Sequence, residues 1–256
     1  MSLAEVVAFA CAGMAAGAMN TVVGSGTLIT FPVLLAFGYA PVTANVTNTV
    51  GLVPGSISGA IGYRRELAGQ RARALRLGSM SLLGGVTGAA LLLILPASAF
   101  NDIVPAFIAV AVVLTVLQPR LRARLAARKS DDEREQERGR EHGPLLLIAV
   151  LLTGVYGGYF GAAQGIILLS VMGVVLTQDL QRTNALKNVL AGLVNGVAGV
   201  YFVIQAHVDW GPAAIIAVAA AIGGQLGARY GRRLPPDALR ALIVVVGVFA
   251  IVKLLV

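Results

Sequence analysis

Apolar segments near 20 residues recur along this chain at 42–63, 74–95, 183–205, 211–230 and 238–255, with a shorter one at 101–117, and none holds more than two charged side chains. A helix rising about 1.5 Å per residue crosses the roughly 30 Å of bilayer hydrocarbon in that length. No segment alternates polar with apolar residues, which excludes a membrane barrel. Composition agrees. Mean hydropathy is +0.82, and charged residues make up 12% of the chain, about half their share in soluble domains. The fold class is an all-α integral membrane protein.

The formal charge of +8 invites a nucleic-acid reading, but its distribution argues against one. Of 20 Lys and Arg, eight lie in 118–143, five in 64–76 and four in 229–240, whereas 38–42, 96–100 and 206–210 hold none. That asymmetry is the positive-inside pattern, which makes the basic loops cytoplasmic and gives no nucleic-acid partner. Membrane lipid is the expected surrounding partner, and the location is the inner (cytoplasmic) membrane, multi-pass. The N-terminal stretch has Glu5 where a secretory signal would be basic, so it is read as part of the mature chain. Cys11, the single cysteine, is expected as a small buried hydrophobe.

Orientation then constrains topology. With 64–76 and 118–143 on one side, three crossings account for 42–117, and three more follow 183. Residues 3–38 must begin and end outside, and 145–177 must begin and end inside. Each has a glycine-rich or polar interruption, as a re-entrant hairpin or two short helices would. The expected architecture is two inverted-topology repeats, each a broken or re-entrant hairpin plus three transmembrane helices. The domains are 1–117 and 144–256, joined by a charged cytoplasmic linker at 118–143 whose first turns extend the preceding helix. At an offset of 139 residues, Gly26, Asn45, Thr49 and Ser56 recur as Gly165, Asn184, Asn188 and Asn195, while an offset of 140 instead pairs Asn48 with Asn188 and Gly59 with Gly199, which leaves the register open by one residue and fits a small insertion. Inverted repeats of this kind mark secondary transporters.

Two helices carry polar faces. Asn45, Asn48, Thr49, Ser56 and Gly59 share one side of 42–63, and Asn184, Asn188, Asn195 and Gly199 share one side of 183–205 with Lys187 beside them. Such faces serve helix packing or line a substrate path. The interruption around Asn20, Gly24, Ser25, Gly26 and Thr27 breaks the first hairpin, leaving bare N–H groups at the start of 27–38 to attract an anion. GYFGAAQG, 158–165, supplies the matching turn, with Gln164 and Gly165 at its end and 166–177 as its half-helix. Lys187, about one turn into its helix, either meets an anion or snorkels to the surface.

The stretches GSGTLITFPVLLAFG and ANVTN, then GYFGAAQGIILL and TNALKNVLAGLVN, resemble the TauE/SafE sulfite exporter family, also called the toluene sulfonate uptake permeases. The resemblance covers nearly the whole chain. It implies a permease for small sulfur-containing anions such as sulfite, sulfoacetate or thiosulfate, with export as the direction and alternating access as the mechanism. Ala162 and Ala163 depart from the family's more glycine-rich turn.

No Walker motif is present, so no built-in ATPase is expected. His142 and His207 fall in loops and the aspartates at segment ends, so neither serine nor aspartyl intramembrane chemistry is expected. The chain is read as a non-enzyme without cofactor or metal, whose partner is a small anionic substrate, with a homo-oligomer left open. An anion channel and a non-transporting membrane scaffold are the alternatives. The chosen substrate-binding set is Asn20, Gly24, Ser25, Gly26, Thr27, Asn45, Asn48, Thr49, Ser56, Gln164, Gly165, Asn184, Lys187, Asn188 and Asn195.

Overall fold

The computed structural model describes residues 1–127, 143–176, 178–231, 244–245, 248–252 and 254, leaving aside the side chains of 121, 122 and 124–127. Most of the charged linker and most of the expected helix at 238–255 lie outside the described residues. What is described is helix and short connections. α1 is Leu3–Val22, α2 Thr27–Ala36, α3 Pro41–Gly62, α4 Arg71–Ile94 and α5 Ala97–Ala127. After the linker come α6 Pro144–Tyr159, α7 Gln164–Val175, α8 Leu180–Gln205 and α9 Trp210–Tyr230.

Local chemistry sets the helix starts. A reciprocal cap begins α1, with Glu5 N–H donating to Ser2 Oγ at 3.2 Å and Ser2 N–H donating to Glu5. Proline occupies the first turn of α3 and of α6, where a missing N–H costs nothing. Asp179 caps α8 by accepting from Gln181 N–H at 3.0 Å. The helix therefore begins at Leu180, so Lys187 sits two turns inside it rather than one.

Among the described residues five helices are long and apolar enough to cross a membrane: α1, α4, α5, α8 and α9. α3, at 22 residues, matches them in length, but its Asn, Thr and Ser side chains dilute its apolarity. α1 is longer than a half-membrane arm. It continues through Asn20 and Thr21 because both side chains find partners, Ser56 Oγ and Gly17 O. Cys11 departs from expectation, being exposed on the outside of α1. The outer surface of a membrane bundle is itself apolar, so a small hydrophobe there loses nothing by exposure to lipid.

Three helix pairs form the most extensive contacts, α1 with α9, α4 with α6 and α3 with α9. Glycines make them possible. A Cβ on Gly17 would lie 2.2 Å from Ala220 O and one on Gly223 2.0 Å from Met14 O. In the second pair, a Cβ on Gly88 would lie 2.0 Å from Val155 O and one on Gly158 2.2 Å from Gly85 O. Backbones thus touch, which gains dispersion contact that lipid-facing side chains cannot supply. α3 packs on α9 as α8 packs on α4, α2 on α3 as α7 on α8, and α3 meets α8 between them. An aromatic cluster fills the space around the short helices, with Phe31 of α2 edge-on to Phe160 at 5.2 Å and to Phe100 of α5 at 6.4 Å.

Candidate functional site

The two chain interruptions meet. α1 closes with Val23 and Gly24 N–H both donating to Met19 O, at 2.7 and 2.9 Å. Gly24 has a φ of +92°, a conformation that favours glycine. The second turn runs through Gly161 (φ +77°) and Ala163 (φ +58°) before α7 begins at Gln164. The tips then join directly, as Gly165 N–H donates to Gly24 O at 3.0 Å. No side chain could stand between them, since a Cβ on Gly24 would lie 2.4 Å from Gly165 Cα. Neither α2 nor α7 has a side-chain N-cap; their first-turn N–H groups go instead to main-chain carbonyls, Ser25 O and Gly26 O in α2 and Gly161 O, Gly24 O and Ala163 O in α7, and each helix brings the positive end of its dipole to the junction.

The polar helix faces surround the tips. Asn20 and Asn195 both donate to Ser56 Oγ, at 3.2 and 3.1 Å, while the Ser56 hydroxyl donates to Leu52 O at 3.1 Å. One serine thus ties α1, α3 and α8. Asn48 donates to Thr27 Oγ1 at 3.3 Å and accepts from the Thr30 hydroxyl, fastening α3 to the first turn of α2. Asn45 donates to Tyr159 O at 2.9 Å, and its 139-residue counterpart Asn184 donates to Thr21 O at 3.3 Å. Each amide caps the end of the first hairpin helix in the opposite half. Thr49 does not join them, because its hydroxyl donates to Asn45 O within its own helix.

Lys187 does not snorkel. It is wholly buried, and its ammonium donates to Asn20 O at 2.9 Å and Thr21 O at 3.2 Å, at the carbonyl end of α1. Taking an ammonium out of water costs several kcal/mol unless strong acceptors replace the water, and orphan carbonyls at a helix C-terminus are such acceptors. Two residues of this assembly escaped the sequence reading. Tyr159 contributes a main-chain carbonyl, which no side-chain pattern reports. Gln118, 2% exposed, donates to Val23 O at 3.3 Å from what reads as the start of the linker. The continuation of α5 past 117 brings it there.

Several buried donors have no acceptor among the described residues: Ser25 Oγ, Gln164 Nε2, Asn188 Nδ2 and the Tyr159 hydroxyl. Buried polar atoms are ordinarily paired, and the acceptors Asn45 Oδ1, Asn184 Oδ1 and Gln118 Oε1 are unpartnered among the described residues as well; of the donors, Ser25 and Gln164 belong to the two turns and Asn188 to the α8 face that lines a neighbouring cleft. This cleft of about 720 Å³, lined almost entirely by apolar surface, runs along the α3–α8 seam. Ser56 and Asn188 supply polar lining, Val53, Ile57 and Val197 apolar walls, and Arg64 stands at one end. A smaller cleft continues along the seam past Val50 and Gly199 to Ile204.

Known proteins similar to this chain are named as probable membrane transporters. The family model for the sulfite exporter TauE/SafE matches residues 9–254. The chain is 27% identical to the probable membrane transporter protein YfcA of Escherichia coli K12, over 94% of this chain and 86% of the relative. It is also 27% identical to the probable membrane transporter protein ORF9 of a Sinorhizobium species (95% and 90%), and 23% identical to a probable membrane transporter protein of Haemophilus influenzae Rd (95% and 92%). No solved structure matches. With its apolar helices, paired glycine turns and a family match spanning nearly its whole length, this multi-pass membrane protein belongs to the sulfite exporter TauE/SafE family.

Proposed function

We propose that the chain is a secondary transporter for small sulfur-containing anions such as sulfite, sulfoacetate or thiosulfate, binding them where the two glycine turns meet. The carrying observation is the pair of buried, unpartnered donors in the two turns, Ser25 and Gln164, beside two helix N-termini that lack side-chain caps, with Asn188 a third such donor on the neighbouring cleft. An oxyanion supplies several acceptors and negative charge, which matches donor side chains and positive helix ends. Asn20, Gly24, Gly26, Thr27, Asn45, Asn48, Ser56, Gly165, Asn184 and Asn195 complete the proposed site as its walls and fasteners, and Lys187 places a positive charge behind the first tip.

The two halves form inverted repeats that exchange helices, α1 and α3 packing with α9 and α6 and α8 with α4, and these two helix groups rock about the junction, giving alternating access. The equivalent capping by Asn45 and Asn184 and the matched helix pairs support that symmetry. Export follows from the family name, and the inner membrane from the basic loops.

Flux of labelled sulfite, thiosulfate and sulfoacetate into proteoliposomes, with a carboxylate control, tests the reading. A carrier shows saturable uptake stimulated by counter-flow, and Asn188→Leu and Gln164→Leu reduce it about tenfold or more, the equivalent of one charge-assisted hydrogen bond. Equal passage of every anion, or variants that behave as wild type, would refute the site.

A further inference from the structure

In carriers with broken helices, carbonyls at a half-helix C-terminus commonly hold the coupling sodium ion. Here the comparable carbonyls, Asn20 O and Thr21 O at the end of α1, are held by the Lys187 ammonium at 2.9 and 3.2 Å. From this we infer that Lys187 is a tethered cation in the position of a coupling ion, so that the chain needs no sodium there.

Three observations converge. The carbonyls lie in the last turn of α1, where no helical N–H reaches them and the helix dipole is negative. The Asn184 side chain reaches the same place, donating to Thr21 O at 3.3 Å, while its own Oδ1 is buried without a partner among the described residues. The two main-chain oxygens that hold the ammonium are the ligand type a monovalent cation takes. Finally, the charge belongs to one half only. At an offset of 139 or 140 residues Lys187 corresponds to Asn48 or Thr47, neither of them charged, and Asn48 turns instead to Thr27 and Thr30 in its own hairpin. A covalently attached cation cannot leave with a gradient. It fixes the positive charge beside the proposed anion site throughout the cycle and binds the first tip to α8.

The inference rests on the transport reading for its meaning, but its test has an arm that requires no flux. The full chain is purified in detergent and its thermal midpoint measured in choline, sodium or methylammonium chloride at equal ionic strength. Wild type gives the same midpoint in all three salts. Lys187→Ala opens the carbonyl cage, so its midpoint is lower in choline and rises saturably by roughly 2–4 °C in methylammonium or sodium. Lys187→Met, closer in volume, serves if the alanine variant does not fold. In proteoliposomes, replacing sodium by choline leaves wild-type flux within about twofold, well below a tenfold step in affinity. A wild-type midpoint or flux that depends saturably on sodium overturns the inference, as does a folded Lys187 variant indifferent to both small cations. Absence of flux for every anion, with the thermal behaviour as described, would count against the transport reading and leave the tethered cation standing.

Discussion

Gly24 and Gly165 carry the junction because nothing larger fits. A Cβ on either would fall within 2.4–2.5 Å of the other's Cα, and Gly24 has a positive φ as well. Gly24→Ala and Gly165→Ala should each cost several kcal/mol, enough to abolish folded yield on size-exclusion chromatography. Gly196→Ala is the control, because its Cβ would meet nothing within 4 Å, and its elution should match wild type. Ala163 presents the converse case. It holds a φ of +58° that costs an L-residue roughly 1–2 kcal/mol, so Ala163→Gly should relieve strain. The midpoint is expected to rise by about 2–4 °C per kcal/mol gained, provided the freer unfolded chain does not cancel the gain.

Ser56 joins three helices with one oxygen, which makes the bonds of α1, α3 and α8 interdependent. Removing that oxygen leaves two amide donors behind. Ser56→Ala should therefore destabilise by about 1–2 kcal/mol, more than Asn20→Ala or Asn195→Ala alone. A double-mutant cycle read by thermal midpoint should give a coupling of about 0.5 kcal/mol or more for Ser56 with either asparagine. Independent effects would mean that the bonds contribute little. The polar faces themselves were legible in sequence, since an amide every three or four positions in an apolar helix marks one side and Asn45, Asn48, Asn184 and Asn188 all lie buried there. Their partners were not legible. Asn45, Asn184 and Lys187 end on main-chain carbonyls of α1 and α6, and a carbonyl looks alike at every residue. Cys11 was misread for another reason. In a bilayer, hydrophobicity marks the lipid face as readily as the core, so it no longer reports burial.

The whole bundle divides into parts that cannot separate and one that has room. Along α1–α9 and α4–α6, glycines press onto opposing carbonyls at distances that leave no space for a methyl group. Those pairs are suited to move as rigid units. Along the α3–α8 seam, by contrast, a Cβ on Gly192 would make only ordinary contact at 3.6 Å, one on Gly196 none, and the cleft lies open beside them. Sequence gives glycine at all these places and cannot tell a tight contact from a loose one, because the difference lies in what the opposite helix presents. If the α1/α3/α9 and α4/α6/α8 groups work against each other across this seam, filling it should obstruct passage without unfolding the protein. Gly196→Leu is expected to leave the thermal midpoint within about 2 °C, as a sub-kcal/mol change would, while reducing anion flux at least about tenfold. Gly223→Ala, which drives a methyl into Met14 O, should lose folded protein instead. A Gly196→Leu variant with wild-type flux would remove the seam from the transport path and confine the site to the hairpin junction.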